Sequence, residues 1–456
     1  MNYLYLFMKI PRDPPDYKKI LEDQKNKTEL TRYLDRDDVK DFINRINNNY
    51  LYWEEFIYRP LPKDTKQDVL WAFIKVTRNL NIRELKISKS DNFVFKFQIQ
   101  DQILQNLHEF DMELGGSLVG HSIVPEEDRD KYLISSIMEE AIASSQIEGA
   151  ATTRKVAKEM LRKSRKPRNK SEMMIINNYN TIKKLKAMKN QRLTRKMILD
   201  IHASMTKDTL EDSKYEGKFR KTNDVYVING VTGKVYYKPP DYKDLPKLID
   251  DFCKFANKED SKVFIHPIIK ACILHFLMGY IHPFEDGNGR TARAIFYWYL
   301  LNHGYWLIEF MSISRIIIKS PSKYAKAYLY TEKDENDLTY FIKYQCRTLE
   351  LALVELKEYI KRQIKEKEMV YDIIKIEGIN SRQAYLIKEF SEDPNKIYTI
   401  NEVTNTFDVV YQTARTDLLG LCTLGFLEKK REGKKKLLFY RSQDFNKLIN
   451  KYFRAK

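Results

Sequence analysis

Glycine and proline are scarce in this chain, with 15 and 14 in 456 residues. Both fall below ordinary globular usage, which excludes collagen-like and low-complexity architectures and leaves little room for long flexible linkers. Cysteine is scarcer still. Cys253, Cys272, Cys346 and Cys422 are far apart and form no CxxC pair. They are expected to be buried reduced thiols, not a disulfide framework or a zinc site. No apolar run approaches the length that crosses a bilayer. The N-terminal MNYLYLFMKIPRDPP has a short apolar patch but no basic n-region and no small-residue cleavage site. A mature cytoplasmic protein with no membrane partner is expected. There is no GxxxxGK(S/T) phosphate loop and no protein-kinase signature set.

What is present is ordinary globular material. Apolar residues make up 43% and aromatics 12% of the chain, and its length predicts two to four domains. The formal net charge is +17. That allows a nucleic-acid partner or an anionic ligand, but a lysine-rich genome gives the same excess.

Apolar residues recur three and four apart in DFINRINNNYLYWEEFIYR, KYLISSIMEEAIASSQ and LPKLIDDFCKFAN, so the chain reads as mainly α. Three regions are expected: an N-terminal helical region over 1–115, a helical middle over 116–365, and a C-terminal module over 375–456. Gly115, Gly116 and Pro125 mark the first boundary. One clear β signal interrupts the middle. DVYVINGVTGKVYY alternates β-branched and aromatic residues around Asn229-Gly230 and Thr232-Gly233, which predicts a hairpin over about 224–237.

The densest chemistry lies in HPFEDGNGRTAR, from His282 to Arg293. A helical apolar run precedes it, with Pro267 suited to the first turn. A second run follows and stops at Gly304. The segment is therefore a tight loop opening a helix, where unpaired N–H groups and the helix dipole favour an anion. Gly287 and Gly289 allow close backbone approach. Arg290 and Arg293, three apart, share a helix face and suit a polyphosphate. Asp286 offers a hard oxygen to Mg²⁺. His282 can take a proton from an attacking hydroxyl. Phe284 is expected to anchor the loop in the core, and Glu285 to face solvent.

These residues resemble the Fic motif, HxFx(D/E)GNGRxxR, at every defined position, and the likeness extends through the preceding helix over most of the middle region. It implies a helical Fic core with a β-hairpin flap, and transfer of AMP from ATP to a protein hydroxyl with release of pyrophosphate. By that likeness His282 is the base and Asp286 the Mg²⁺ ligand. Gly287, Asn288 and Gly289 cradle phosphates, and Arg290 and Arg293 hold the β and γ phosphates. A phosphorylating branch of the family departs at the glycine positions, and this chain keeps them. The flap would hold an extended target segment bearing a Ser, Thr or Tyr hydroxyl; self-modification is also allowed.

Upstream, SSQIEG places Glu148 at a helix end with Gly149 as its stop. A carboxylate there opposes the helix dipole, so a partner is expected. Ser144 to Gly149 resembles the family's inhibitory motif, (S/T)xxxE(G/N). The likeness implies that Glu148 pairs with Arg293 at the γ-phosphate position, and in some relatives this glutamate supports AMP removal. De-AMPylation and ATP sensing by a DNA-binding regulator therefore stand as alternatives.

The C-terminal module, YTINEVTNTFDVVYQTARTDLLGLCTLGFLEKKREGKKKLLFYRS, reads as helix, turn, helix and a two-stranded wing. Thr399 is a cap, Gln412, Thr413, Arg415 and Thr416 share a helix side, and Glu432-Gly433 turns a basic wing. This resembles a winged helix-turn-helix. Duplex DNA bound through 399–440 is one expectation; protein contact or a homodimer is the other.

Overall fold

The computed structural model describes residues 9–88, 93–115, 129–228, 233–257, 264–407, 409–432 and 436–453. By contacts the chain divides into two compact units, 1–356 and 357–456.

The first unit opens with helices. In Asp37–Asn49 the residues Val39, Phe42, Ile43 and Ile46 are buried, one stripe of a 3.6-residue repeat. They pack against the Gln67–Leu80 helix, where Leu70, Trp71 and Ile74 join the same core. A buried polar seam ties these helices to residues 334–340. Lys75 Nζ lies 2.7 Å from Asp334, Tyr50 donates to Asp337 at 2.6 Å, and Arg78 donates to Tyr340 Oη at 3.0 Å. Strands β1 (Arg83–Lys86) and β2 (Val94–Phe97) pair antiparallel. Gly115 follows the Asp101–Leu114 helix; Gly116 and Pro125 lie outside the described residues.

Helices α1 (Arg129–Ile147), α2 (Arg195–Thr206), α3 (Pro267–Ile281) and α4 (Asn288–Asn302) build the centre of this unit. Nearly every residue of α3 and α4 is buried; α3 and the second half of α4 are apolar nearly all round, while the first turns of α4 bury Arg290, Thr291 and Arg293. Pro267 at N1 and the His266 side chain, which accepts from Ile268 N, start α3. Gly304, at φ 86, follows the end of α4. Strands β3 (Val227–Ile228) and β4 (Val235–Tyr237) pair antiparallel, Val227 with Tyr237 and Ile228 with Val235. The expected turn residues Asn229, Gly230 and Thr232 lie outside the described residues; Gly233 is left-handed, at φ 67.

The unit boundary falls within one long helix, Thr339–Ile374. The second unit then has helices Ser381–Glu392, Ile400–Phe407 and α5 (Tyr411–Thr423), with strands β5 (Ile397–Thr399), β6 (Leu427–Glu432) and β7 (Lys436–Arg441) in the order β5-β7-β6. Leu386, Phe390, Val403, Leu418, Leu421 and Phe439 fill its core. Thr399 caps as expected: its Oγ1 accepts from Glu402 N at 3.3 Å while the Glu402 carboxylate accepts from Thr399 N at 2.7 Å, a reciprocal capping box. The carboxylate of buried Asp417 accepts from Arg382 and Asn380 and locks α5 to the start of the Ser381–Glu392 helix. Gly433, Lys434 and Lys435 of the expected wing lie outside the described residues.

Cys253, Cys272 and Cys346 are buried free thiols and Cys422 is half-buried. No helix among the described residues is long and apolar enough to cross a membrane.

Candidate active site

The loop between α3 and α4 reverses the chain in six residues, 282–287. His282 caps α3 in the left-handed region, φ 48 and ψ 57, with its N–H on Met278 O. A non-glycine residue there costs about 1–2 kcal/mol, and such strain collects at functional sites. Its Nδ1 lies 3.1 Å from Gly279 O. A carbonyl only accepts, so Nδ1 carries the proton and Nε2 keeps its lone pair. Burial pushes the imidazole down to about 4, opposed by the Gly279 bond and reinforced by the Arg220 guanidinium. The ring is therefore neutral at pH 7.

Gly287 takes φ 83 as the N-cap of α4. A Cβ there would lie 2.8 Å from Thr206 Cγ2, so glycine is required by conformation and by space. Asn288 turns inward. Its amide donates to Phe284 O at 2.8 Å and accepts from Phe284 N at 2.9 Å, bracing the loop. Only the backbone of Asn288 is left for a ligand. Phe284 is fully buried, as expected of an anchor. Glu285, expected in solvent, is half-buried.

Arg290 and Arg293 are both buried, yet they reach different neighbours. Arg290 Nη1 donates to Met205 O of α2 at 2.9 Å. Arg290 Nε and Nη2, and Arg293 Nη1, are buried with no hydrogen-bond partner. Orphaned buried donors are costly, and three of them beside a helix N-terminus fit an anion. Arg293 Nε donates to Ser144 Oγ and its Nη2 to Ser144 O, both at 2.9 Å.

Arg293 Nη2 also lies 3.0 Å from Glu148 Oε1, with side chains 1% and 4% exposed. Glu148 follows the last residue of α1, and Gly149 turns the chain at φ 98. A Cβ on Gly289 would fall 2.2 Å from Glu148 Oε1, so the carboxylate rests against the first turn of α4. It is unfavourable at the end of its own helix and favourable at the start of another. Ser144, Glu148 and Arg293 are thus brought together by tertiary packing.

Asp286 is the exposed member, its side chain 51% accessible. One oxygen accepts from Gly287 N at 2.6 Å, and the other lies 4.0 Å from Arg290 Nη2. Among the described residues no group of three His, Cys, Asp or Glu side chains could hold a metal. A lone accessible carboxylate fits Mg²⁺ where phosphate oxygens and water complete the octahedron.

Two residues have no signal in the motif. His202 of α2, wholly buried, accepts from Gly217 N at 3.1 Å on Nδ1, so Nε2 carries the proton it gives to Asp286 O at 2.8 Å. Its ring stacks on Phe284 at 3.7 Å. Arg220 Nε donates to His282 O at 3.0 Å, and its N–H donates to Pro283 O at 2.9 Å. Both hold the loop's backbone from outside. They lie 84 and 62 residues from their partners, beyond any local periodicity.

Residues 192–300 match the family model described as Fic/DOC family. Over 170 residues the chain is 33% identical to the protein adenylyltransferase Fic of Aedes aegypti, covering 36% of this chain and 30% of that protein. Over 208 residues it is 29% identical to the protein of the same name from Drosophila melanogaster, covering 44% and 38%. The chain thus spans about a third of the length of these curated relatives. Among solved structures it is similar to a Fic-1 fragment from C. elegans, with a TM-score of 0.50 and 16% identity over 78% of this chain and 89% of that one; that likeness is one of fold. The matched segment takes in α2, α3, the whole loop and α4 as far as Leu300, so the likeness to the Fic/DOC family falls on the elements that build this site.

Proposed function

We propose that this protein is an adenylyltransferase that moves AMP from ATP onto a Ser, Thr or Tyr hydroxyl of a protein. The observation that carries the reading is an imidazole protonated at Nδ1, on the loop that opens the helix holding three buried guanidinium donors without hydrogen-bond partners. The relatives named as protein adenylyltransferases support it.

In this reading the hydroxyl oxygen attacks the α-phosphorus while His282 Nε2 takes its proton. The bond from the α-phosphorus to the bridging oxygen breaks, and pyrophosphate leaves. Arg290, Arg293 and the N–H groups at the start of α4 hold the charge that develops there. Asp286 would hold Mg²⁺, which when bound would supply positive charge to offset part of the same developing charge. An extended target segment lies along β3 and β4, where exposed Tyr226 and Val235 offer apolar contacts.

Glu148 makes the resting state inactive. Its carboxylate occupies Arg293 and repels a γ-phosphate, so ATP that binds is misaligned for in-line attack. Incubating the Glu148→Gly variant with cell extract, Mg²⁺ and α-labelled ATP tests the whole reading. Label on protein supports it, and an unlabelled extract with an unlabelled enzyme would sink it.

We read the second unit as a winged helix-turn-helix that binds duplex DNA. Gln412, Arg415 and Thr416 form an exposed face of α5, and Lys429, Lys430 and Arg431 of β6 with Lys436 of β7 are all exposed. The α5 face suits a groove and the basic strands suit phosphate.

A further inference from the structure

Arg220 is a buried cation satisfied by neutral oxygens. It is 2% exposed. Besides His282 O, its Nη1 reaches Thr222 O at 2.8 Å and Asn223 Oδ1 at 3.2 Å, and its Nη2 reaches Pro240 O. Burial outweighs Glu285 and Asp241, which lie near enough to favour its charge, and a buried guanidinium is costly unless its donors are matched. The acceptors explain why it is kept there. They come from three segments: the chain leading into β3, the chain leaving β4, and the loop that carries the base. The guanidinium makes four bonds from three nitrogens held in one plane, whereas an ammonium has three donors on a single atom.

The hairpin needs such a tie. Strands β3 and β4 are two and three residues long, and a ribbon of that size does not hold itself in water. A further tie, to α3, is Tyr237 Oη, which donates to Tyr280 O at 2.8 Å. His282 is held differently. Its N–H bonds Met278 O at 3.2 Å and its Nδ1 bonds Gly279 O at 3.1 Å, both within its own helix. A change of the Arg220 side chain leaves these two bonds and the backbone bond from Arg220 N to Pro283 O in place, while the hairpin loses its register to the base.

We infer that Arg220 is a positioning residue that sets the spacing between the hairpin and His282, and thereby selects a protein hydroxyl over water as the acceptor of AMP. The inference rests on the AMP-transfer reading. Either acceptor forms a bond from its oxygen to the α-phosphorus, releases pyrophosphate and gives its proton to His282. A protein acceptor must also be held by the hairpin; water need not be.

The test uses the full chain carrying Glu148→Gly, with and without Arg220→Lys, and α-labelled ATP. Protein-bound label and free AMP are counted side by side, with ATP affinity and melting temperature. For Arg220→Lys, protein labelling should fall about tenfold or more, since small misplacements of a reactant cost that much. Free AMP should fall by less than about threefold, and ATP affinity should hold within about twofold. Parallel loss of protein label and free AMP, or loss of neither, overturns the inference. Where Arg220→Lys does not melt cooperatively, Tyr237→Phe decides, since it removes a second tie between the hairpin and the end of α3. A shift toward free AMP supports the inference and an unchanged ratio overturns it. If the Glu148→Gly parent yields neither protein label nor free AMP, the AMP-transfer reading fails and this inference falls with it.

Discussion

Glu148 Oε1 and Arg293 Nη2 meet at 3.0 Å across 145 residues of chain, and both side chains are buried. The contact places a carboxylate in the space beside Gly289, which phosphate oxygens would enter under the proposed function. Glu148→Gly should therefore raise labelling of protein, the enzyme included, by about a hundredfold or more, the scale of a corrected misalignment. Adding Arg293→Ala to that variant should abolish the gain. Autoradiography of the single and double variants checks both.

The same pair makes a stability prediction. Removing one partner of a buried ion pair costs about 3–5 kcal/mol. Arg293 keeps its two bonds to Ser144, which favours the low end. Glu148→Gly should melt lower than the parent without nucleotide, and ATP should raise its melting temperature more than the parent's, because phosphate replaces the lost carboxylate. Thermal scans with and without ATP decide this.

Gly289→Ala separates release of Glu148 from access for ATP. The new Cβ would sit 2.2 Å from Glu148 Oε1 and must displace it, yet it fills the space a phosphate would enter. The variant should stay inactive, and adding Glu148→Gly should not rescue it. Robust labelling by Gly289→Ala alone would remove the α4 N-terminus from nucleotide binding.

His282→Ala should reduce transfer by about 10²–10⁴ while ATP affinity stays within about twofold, because the base acts in the transition state. Filter binding and labelling measured on one preparation give both values.

Acid should unfold the protein before it stops the chemistry. Burial holds His202 and His282 down at about 4, and His275 well below its ordinary value. Unfolded, these rings bind protons from about pH 6.5 downward; folded, His202 and His282 do not until about pH 4. The unfolded chain then carries more protons, so stability falls as pH falls through that window. Wholly buried His202 alone accounts for about 3 kcal/mol. The turnover of folded Glu148→Gly enzyme should change less than about twofold between pH 8 and 6, whereas a base of ordinary pKa would lose about fourfold. Chemical denaturation across pH 4–7 and rates across pH 6–8 test the two halves.

For the second unit, neutralising Lys429, Lys430 and Arg431 to Gln should reduce the slope of log affinity for duplex DNA against log salt by about 2–3. Absence of DNA binding at low salt by the intact protein would leave the unit as a protein-contact module.

The sequence alone determined the loop, its flanking helices and the kind of ligand they invite. His282, Asp286, Gly287, Gly289, Arg290 and Arg293 lie within twelve consecutive positions. Chemistry confined to one turn and the start of one helix is local, so residue type, spacing and helix polarity suffice to read it. The β-branched alternation before and after residues 229–232 marked the hairpin for the same reason.

Tertiary structure alone decided which groups complete that loop. Two arginines on one helix face lead to different neighbours, Arg290 to Met205 and Arg293 to Ser144 and Glu148. The side chain of Asn288 is turned from ligand to brace by Phe284. His202 and Arg220 carry no pattern of their own, and their roles exist only because packing brings Asp286 O and His282 O within hydrogen-bond reach. Backbone carbonyls are the same at every position in a sequence. Which of them is left unpaired, and which distant donor arrives to meet it, follows from the fold.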